Sequence, residues 1–189
     1  MVRELVHPGM TVWDIGANVG LFAFASAARG AQVVAVEADI WLANLMHRSV
    51  LLNSLPVTVV PAALAEHLGV SKLYLSDDGR ASNSLSGTGR IQTVITITLD
   101  WLLDHFPAPQ VLKIDVEGVE YSVLKGGTKL LQSRPTIFCE VTENHELVGE
   151  LLSTVDYDLF AARESKRCPL QRPSRDTLAI PRASEPGGC

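Results

Sequence analysis

The amino-acid sequence predicts an α/β domain built around a mostly parallel sheet. Three observations carry that expectation. Short apolar, β-branched runs that read as buried strands alternate along the chain with helical segments. The first run, Thr11–Ile15, ends in a glycine-bearing turn, DIGANVG at 14–20, that opens into a helix. A cluster of carboxylates, IDVEGVE at 114–120, sits at the end of the fourth such strand.

The elements follow in order. Leu21–Arg29 reads as a helix rich in Ala and Phe, stopped by Gly30, where a left-handed residue is wanted. Gln32–Val36 is a second buried strand. Asp39–Leu52 is helical, with Asp39 as N-cap and Ala43, Met46 and Val50 on one face. Val57–Val60 is the third strand, ended by Pro61. Lys72–Leu75 and Gln92–Thr98 alternate in polarity, as in a half-exposed antiparallel hairpin. Between them, Ser76–Arg90 is rich in Ser, Gly, Asn and Asp and is expected to be a mobile loop that closes over an acceptor. Leu99–Phe106 is a short helix, parted by Pro107 and Pro109 from the fourth parallel strand, Val111–Asp115. The helix Glu120–Lys125, the fifth strand Thr136–Glu140 and the helix His145–Ser153 come next. Asp158–Ala161 and Thr177–Ile180 are the last two strands, joined by a basic, proline-containing connection at Lys166–Arg175. The tail from Arg182 to Cys189 is expected to fray.

At 189 residues, 47% hydrophobic and 20% charged, the chain suits one domain spanning 1–189 with a single core. Its net charge of −5 argues against a protein that neutralises many phosphates, so no nucleic-acid partner is expected, although a local basic patch would leave RNA open. No run of about 18 apolar residues predicts a membrane span. No basic segment followed by an apolar stretch predicts a signal peptide. Cys139, Cys168 and Cys189 are odd in number and lack metal-type spacing, which fits a reduced, cytoplasmic setting, with Cys139 a small core residue.

Gly16, Asn18 and Gly20 lie in a strand-to-helix turn of the kind that presents amides and a helix N-terminus to a ligand. A dinucleotide fingerprint would need glycine at 18 and 21, where this chain has Asn18 and Leu21. A side chain at position 18 obstructs the approach of a pyrophosphate, which S-adenosylmethionine (SAM) does not have. Asp14 would repel phosphates but attract the ammonium of a methionine moiety. Glu37, 21 residues after Gly16 at the end of the second strand, is placed to accept hydrogen bonds from ribose hydroxyls, a device common to NAD and SAM sites.

The stretch VWDIGANVGLFAFASAARGAQVVAVEAD, then NLMHRSVLLN, then KIDVEGVEYSVLKGG, resembles the FkbM-type family of SAM-dependent methyltransferases, from about Pro8 to Pro181. The resemblance implies a Rossmann-like class I methyltransferase fold. Its seven-stranded, mostly parallel sheet would run in the order 3-2-1-4-5-7-6, flanked by helices, with strand 7 antiparallel and the hairpin inserted. It implies O-methylation of hydroxyls on secondary metabolites, sugars and related small molecules. By the same resemblance Asp14, Gly16, Asn18 and Gly20 would line the methionine end and Glu37 the ribose. Ala38 would lie near the adenosine and Ala63 near the adenine. The Glu-Pro frequent in the family after strand 2 is Glu37-Ala38 here. With the first strand so near residue 1, the substrate site is expected to be open or completed by another chain, and a homo-oligomer is left open.

Asp115, Glu117 and Glu120 fall at the edge where open α/β sheets bind ligands, and Glu140 ends the neighbouring strand. The resemblance matches Asp115 and Glu117 to an acidic motif facing the transferred methyl. A hydroxyl acceptor has to lose its proton, so a base within reach is useful. Asp115 is the first candidate for base or positioner and His145 the second, with Glu117 and Glu140 positioning the substrate. Glu120 reads as a solvated helix residue, and His47, His67 and His105 as ordinary surface residues. Asp115, Glu117, Glu140 and His145 could alternatively hold Mg²⁺, but no fixed ligand spacing favours a metal. An NAD-dependent oxidoreductase and a non-catalytic SAM-binding module are the rival readings. Amino-directed nucleic-acid methylation would want an Asn/Asp-Pro-Pro-aromatic turn where Asp115-Val116-Glu117-Gly118 stands.

Overall fold

The structure is a computed structural model that describes residues 1–76, 83–85, 88–164 and 168–183. Its first parallel unit is β1 (Thr11–Ile15), α2 (Leu21–Ala27), β2 (Gln32–Glu37), α3 (Ile40–Asn53) and β3 (Val57–Pro61). A four-residue helix, α1 (Val2–Leu5), precedes it. Asp39 caps α3 by accepting the Trp41 N–H at 2.8 Å, and Ala43, Met46 and Val50 are buried on one face. Gly30 takes a left-handed φ of +86° just after α2, as a chain reversal there requires.

The second unit comprises α4 (Leu99–His105), β7 (Val111–Ile114), α5 (Glu120–Lys125), α6 (Thr128–Gln132), β8 (Thr136–Glu140) and α7 (His145–Thr154). It ends in β9 (Tyr157–Ala161), β10 (Pro169–Leu170) and β11 (Asp176–Pro181). The main sheet has eight strands in the order β10-β9-β11-β8-β7-β1-β2-β3, and β11 is antiparallel to both of its neighbours. The expected count of seven is therefore one short. The extra strand is the two-residue β10, too brief and too close to proline to show a period. It lies within the basic connection expected over Lys166–Arg175, of which residues 166–167 are outside the described residues.

The expected hairpin is β5 (Gly69–Leu75) paired antiparallel with β6 (Arg90–Ile97). It stands apart from the main sheet, as a three-stranded sheet completed by β4 (Ala63–Leu64), parallel to β6.

Alternation along the parallel strands loads both faces of the sheet. Trp13, Ile15, Val34, Val36, Leu112 and Ile114 pack against α4–α7, while Val12, Val33, Ala35 and Val111 pack against α2 and α3. Cys139 is buried in the first of these layers, as expected. Chain order reverses between β1 and β7, which pair in register with Asp14 opposite Lys113. The C-terminal ends of these two strands form the crevice where open α/β sheets bind ligands. Among the described residues no helix is long and apolar enough to cross a membrane.

Candidate active site

A cavity of about 250 Å³ occupies this crevice. Gly16 and Asn18 form its floor, Glu37, Ala38 and Ala63 one flank, and Asp115, Glu117 and Glu140 the other. Eight of the residues expected from the sequence thus line one cavity. Three do not. Asp14 is fully buried beneath the floor, Gly20 is packed against Phe24 and Met46, and His145 lines a separate depression.

The turn is built differently from a phosphate loop. The Gly16 and Ala17 amides both donate to the Val36 carbonyl at 3.0 Å, the Gly20 amide donates to Ala17, and the Asn18 amide donates to Glu37 Oε2 at 2.7 Å. Four amides that a nucleotide phosphate would need are spent on protein oxygens. This corrects the expectation that the turn offers its N–H groups to a ligand. Gly16 is required for a different reason. A Cβ there would lie 1.8 Å from the Asp115 carbonyl oxygen, and its φ is +73°. The glycine lets the β1 and β7 turns cross.

Glu37 is 8% exposed, and its second oxygen accepts the Asp39 N–H at 2.8 Å. Two backbone amides therefore hold the carboxylate in one orientation with lone pairs left over. Burial pushes its pKa up despite those amides. Gln92 Nε2 donates to the Ala38 carbonyl at 2.8 Å, pinning the loop after β2 to the second sheet. Of the expected mobile loop, residues 77–82 and 86–87 lie outside the described residues. Its central part, Asn83–Leu85, lines the cavity. Asn83 donates to Asp39 Oδ2 at 2.9 Å and the Ser84 hydroxyl to the Glu117 carbonyl at 2.7 Å, so this segment ties the two flanks together.

Beneath the floor lies a charged chain that sequence reasoning missed. Lys113 is 8% exposed, and its Nζ stands 3.2 Å from Asp14 Oδ1 and 3.1 Å from Asp115 Oδ2. Burial alone would lower its pKa, but the two carboxylates outweigh burial and hold the ammonium above its usual range. Burial drives the Asp14 carboxyl upward against the pull of Lys113. The signal in the sequence was a lysine in the middle of the apolar run VLKI. Its partners were hidden because they depend on the β1–β7 register.

Glu117 has a left-handed φ of +51°, followed by Gly118 at +98°. A non-glycine residue so held is strained, and such strain concentrates at functional sites. Its pKa is raised, first by burial and then by Asp115, Glu140 and Glu120. Glu120 corrects its reading as solvated: it is fully buried, accepting the Gly118 N–H at 2.9 Å and the Thr142 hydroxyl at 3.2 Å. Glu140 is paired with Arg175 at 2.8 Å. Among the described residues no three His, Cys, Asp or Glu side chains are grouped so as to hold a metal ion.

Comparison with known proteins fits this geometry. The methyltransferase FkbM domain model matches residues 14–164, which runs from the floor of the cavity through both of its flanks. The chain belongs to the FkbM methyltransferase family. The FkbM chain is 30% identical over 148 residues to the hexuronic acid methyltransferase AglP of Haloferax volcanii, covering 75% of this chain and 59% of that protein. The crystal structure of methyltransferase FkbM from Methylobacillus flagellatus superposes with a TM-score of 0.60 at 16% identity, over 95% of this chain and 49% of that one. An rRNA methylase from Streptococcus thermophilus gives 0.53 at 12% identity, over 95% and 89%. At such identities the two structures establish the Rossmann-like methyltransferase fold alone. The FkbM chain spans about three-fifths of the length of the first relative and about half of the second.

Proposed function

We propose that the chain is a SAM-dependent methyltransferase, folded as one catalytic domain, that methylates a hydroxyl of a sugar-type small molecule. The observation that carries this reading is the charge of the cavity wall. Glu37, Asp115, Glu117 and Glu140 line it, and among the described lining residues there is no lysine, arginine or histidine. SAM brings a sulfonium and an ammonium against one carboxylate and is a net cation, whereas NAD brings two phosphate charges against one pyridinium and is a net anion. A phosphate charge about 5 Å from one such carboxylate costs about 3 kcal/mol at an effective dielectric of about 20. The turn amides that might offset that cost are already engaged.

Glu37, held by two amides, would accept the ribose hydroxyls, and Ala38 and Ala63 leave room beside it for the adenosine. Gly16 and Asn18 would border the methionine end. Asp14, expected at that end, acts instead as the buried counter-charge to Lys113. SAM supplies a methyl group on a positively charged sulfur that departs as a neutral thioether. The chain's part is to orient the acceptor oxygen and take its proton. Asp115, fixed by Lys113, accepts a hydrogen bond from the acceptor hydroxyl and sets its direction. Glu117, with its raised pKa, receives the proton. His145 is off the cavity wall and has no part in this step. A sugar acceptor is supported by the hexuronic acid methyltransferase relative.

The test is methyl transfer from labelled SAM to a panel of hydroxylated sugars, with the product bond located by NMR. The label is expected on oxygen. Glu117→Gln should lower kcat by about 100- to 10,000-fold with SAM affinity within a few-fold. Because the pKa of Glu117 is raised, wild-type activity should climb with pH through a value above the ordinary 4.5 of glutamate. A label on carbon or nitrogen, or an unchanged kcat in Glu117→Gln, contradicts the assignment.

A further inference from the structure

Asp115, Glu117 and Glu140 make the acceptor's end of the cavity acidic, which disfavours an acceptor that pushes an anionic group into it. Next to the cavity is a depression of opposite character. Its wall includes Arg172, Arg175, His145 and Ser174, with Glu146 as its one carboxylate. An ion pair links the two spaces, since Glu140 lines the cavity, Arg175 lines the depression, and they stand 2.8 Å apart. The chain carries a net charge of −5, so two guanidinium groups three residues apart are a local inversion of its charge.

The segment bearing them is fixed in place. The Val141 N–H donates to the Arg175 carbonyl at 2.7 Å, anchoring the segment to the end of β8. The Thr177 hydroxyl donates to the Ser174 carbonyl at 2.6 Å. Pro173 is buried against Gly149, where any Cβ would come within 2.8 Å of the proline ring. Arg172, between these anchors, is exposed and has no ion pair among the described residues. An arginine on a pre-organised segment is suited to bind a carboxylate with two parallel hydrogen bonds.

We propose that this depression is an acceptor subsite that binds the carboxylate of an acidic sugar. Arg172 is the main anchor, and Arg175 marks the border with the methyl-transfer cavity. The proposal rests on the methyltransferase reading and deepens it. The anionic end of the acceptor is held outside the ring of carboxylates while a hydroxyl of the same molecule reaches Asp115 and Glu117. An acceptor of this class is made by oxidation of a sugar's primary alcohol to the acid, so an oxidation has to precede this step.

The experiment uses the whole chain, with methyl β-D-glucuronoside and its neutral counterpart methyl β-D-glucoside as probes. Binding is followed through the arginine Nε–H signals by NMR, and SAM is titrated separately. The glucuronoside should shift the Arg172 signal and bind at least 10-fold more tightly than the glucoside. Arg172→Gln should bring it down to the glucoside level, and Arg172→Lys should restore part of the difference. Equal binding of the two sugars overturns the proposal, as does glucuronoside binding that Arg172→Gln leaves unchanged, or inorganic phosphate shifting Arg172 while the glucuronoside does not. A chain that binds the glucuronoside through Arg172 but fails to bind SAM would instead overturn the methyltransferase reading and leave the subsite standing.

Discussion

Lys113 stands between two carboxylates at the ends of adjoining strands, one fully buried and one on the cavity wall. Removing one member of a buried pair typically costs 3–5 kcal/mol, because a charge is left without compensation. Lys113→Met should therefore lower the unfolding free energy by about that amount at pH 8, measured by urea denaturation. The sign of its pH dependence follows from Asp14. A carboxyl with a raised folded pKa favours the fold fully below its unfolded value of 3.8, and that contribution is lost as pH rises through the folded value. The penalty of Lys113→Met should accordingly shrink as pH falls and Asp14 takes up a proton. Adding Asp14→Asn should recover part of the loss, and a single variant as stable as wild type would show that the pair carries no weight. Glu37 and Asp115 were legible in the sequence because each stands at a strand end beside a motif. Lys113 and Glu120 were not, because what makes each important is a partner brought by tertiary register: Asp14 across β1–β7, and Thr142 on the loop after β8.

At the scale of elements, the strand-turn-helix at β1–α2 and the turn after β7 form one object. Gly16 is the point where they touch, with the Asp115 amide donating to the Ile15 carbonyl at 3.0 Å and no room for a Cβ. Gly16→Ala should cost roughly 1–3 kcal/mol for overpacking and a further 1–2 for the left-handed φ. Its thermal midpoint should fall and SAM affinity should fall with it. A variant with native stability would mean that the turns can part without consequence. Local pattern was enough to find these strands and helices, since apolar runs and glycine stops sit within a few residues of one another. It was not enough to say why the glycine is there. Sequence alone pointed to ligand approach, whereas the structure shows one backbone crossing another. The two-residue strands β4 and β10 escaped for a related reason, since each is defined only by its neighbour.

For the whole molecule, the sheet gathers opposite charges into separate places. Its reversal point collects carboxylates around a cavity, and the connection before β11 places arginines in the depression beside it. His145, read from the sequence as a neighbour of the carboxylates, is carried by the start of α7 into that second space. In the proposed function the acidic cavity selects a cationic cofactor over a dinucleotide, so binding is a more direct test than turnover. The decisive measurement is calorimetric titration of the wild-type chain with SAM, S-adenosylhomocysteine and NAD under the same salt and pH. SAM and its demethylated product should bind, with NAD at least 100-fold weaker. Glu37→Gln, which keeps one carbonyl acceptor for the backbone amides, should weaken SAM by about 10-fold, the scale of a lost charge-assisted hydrogen bond. NAD binding as tightly as SAM, or SAM failing to bind at all, would contradict the claim that four carboxylates at the sheet's reversal point form a site for a cationic methyl donor.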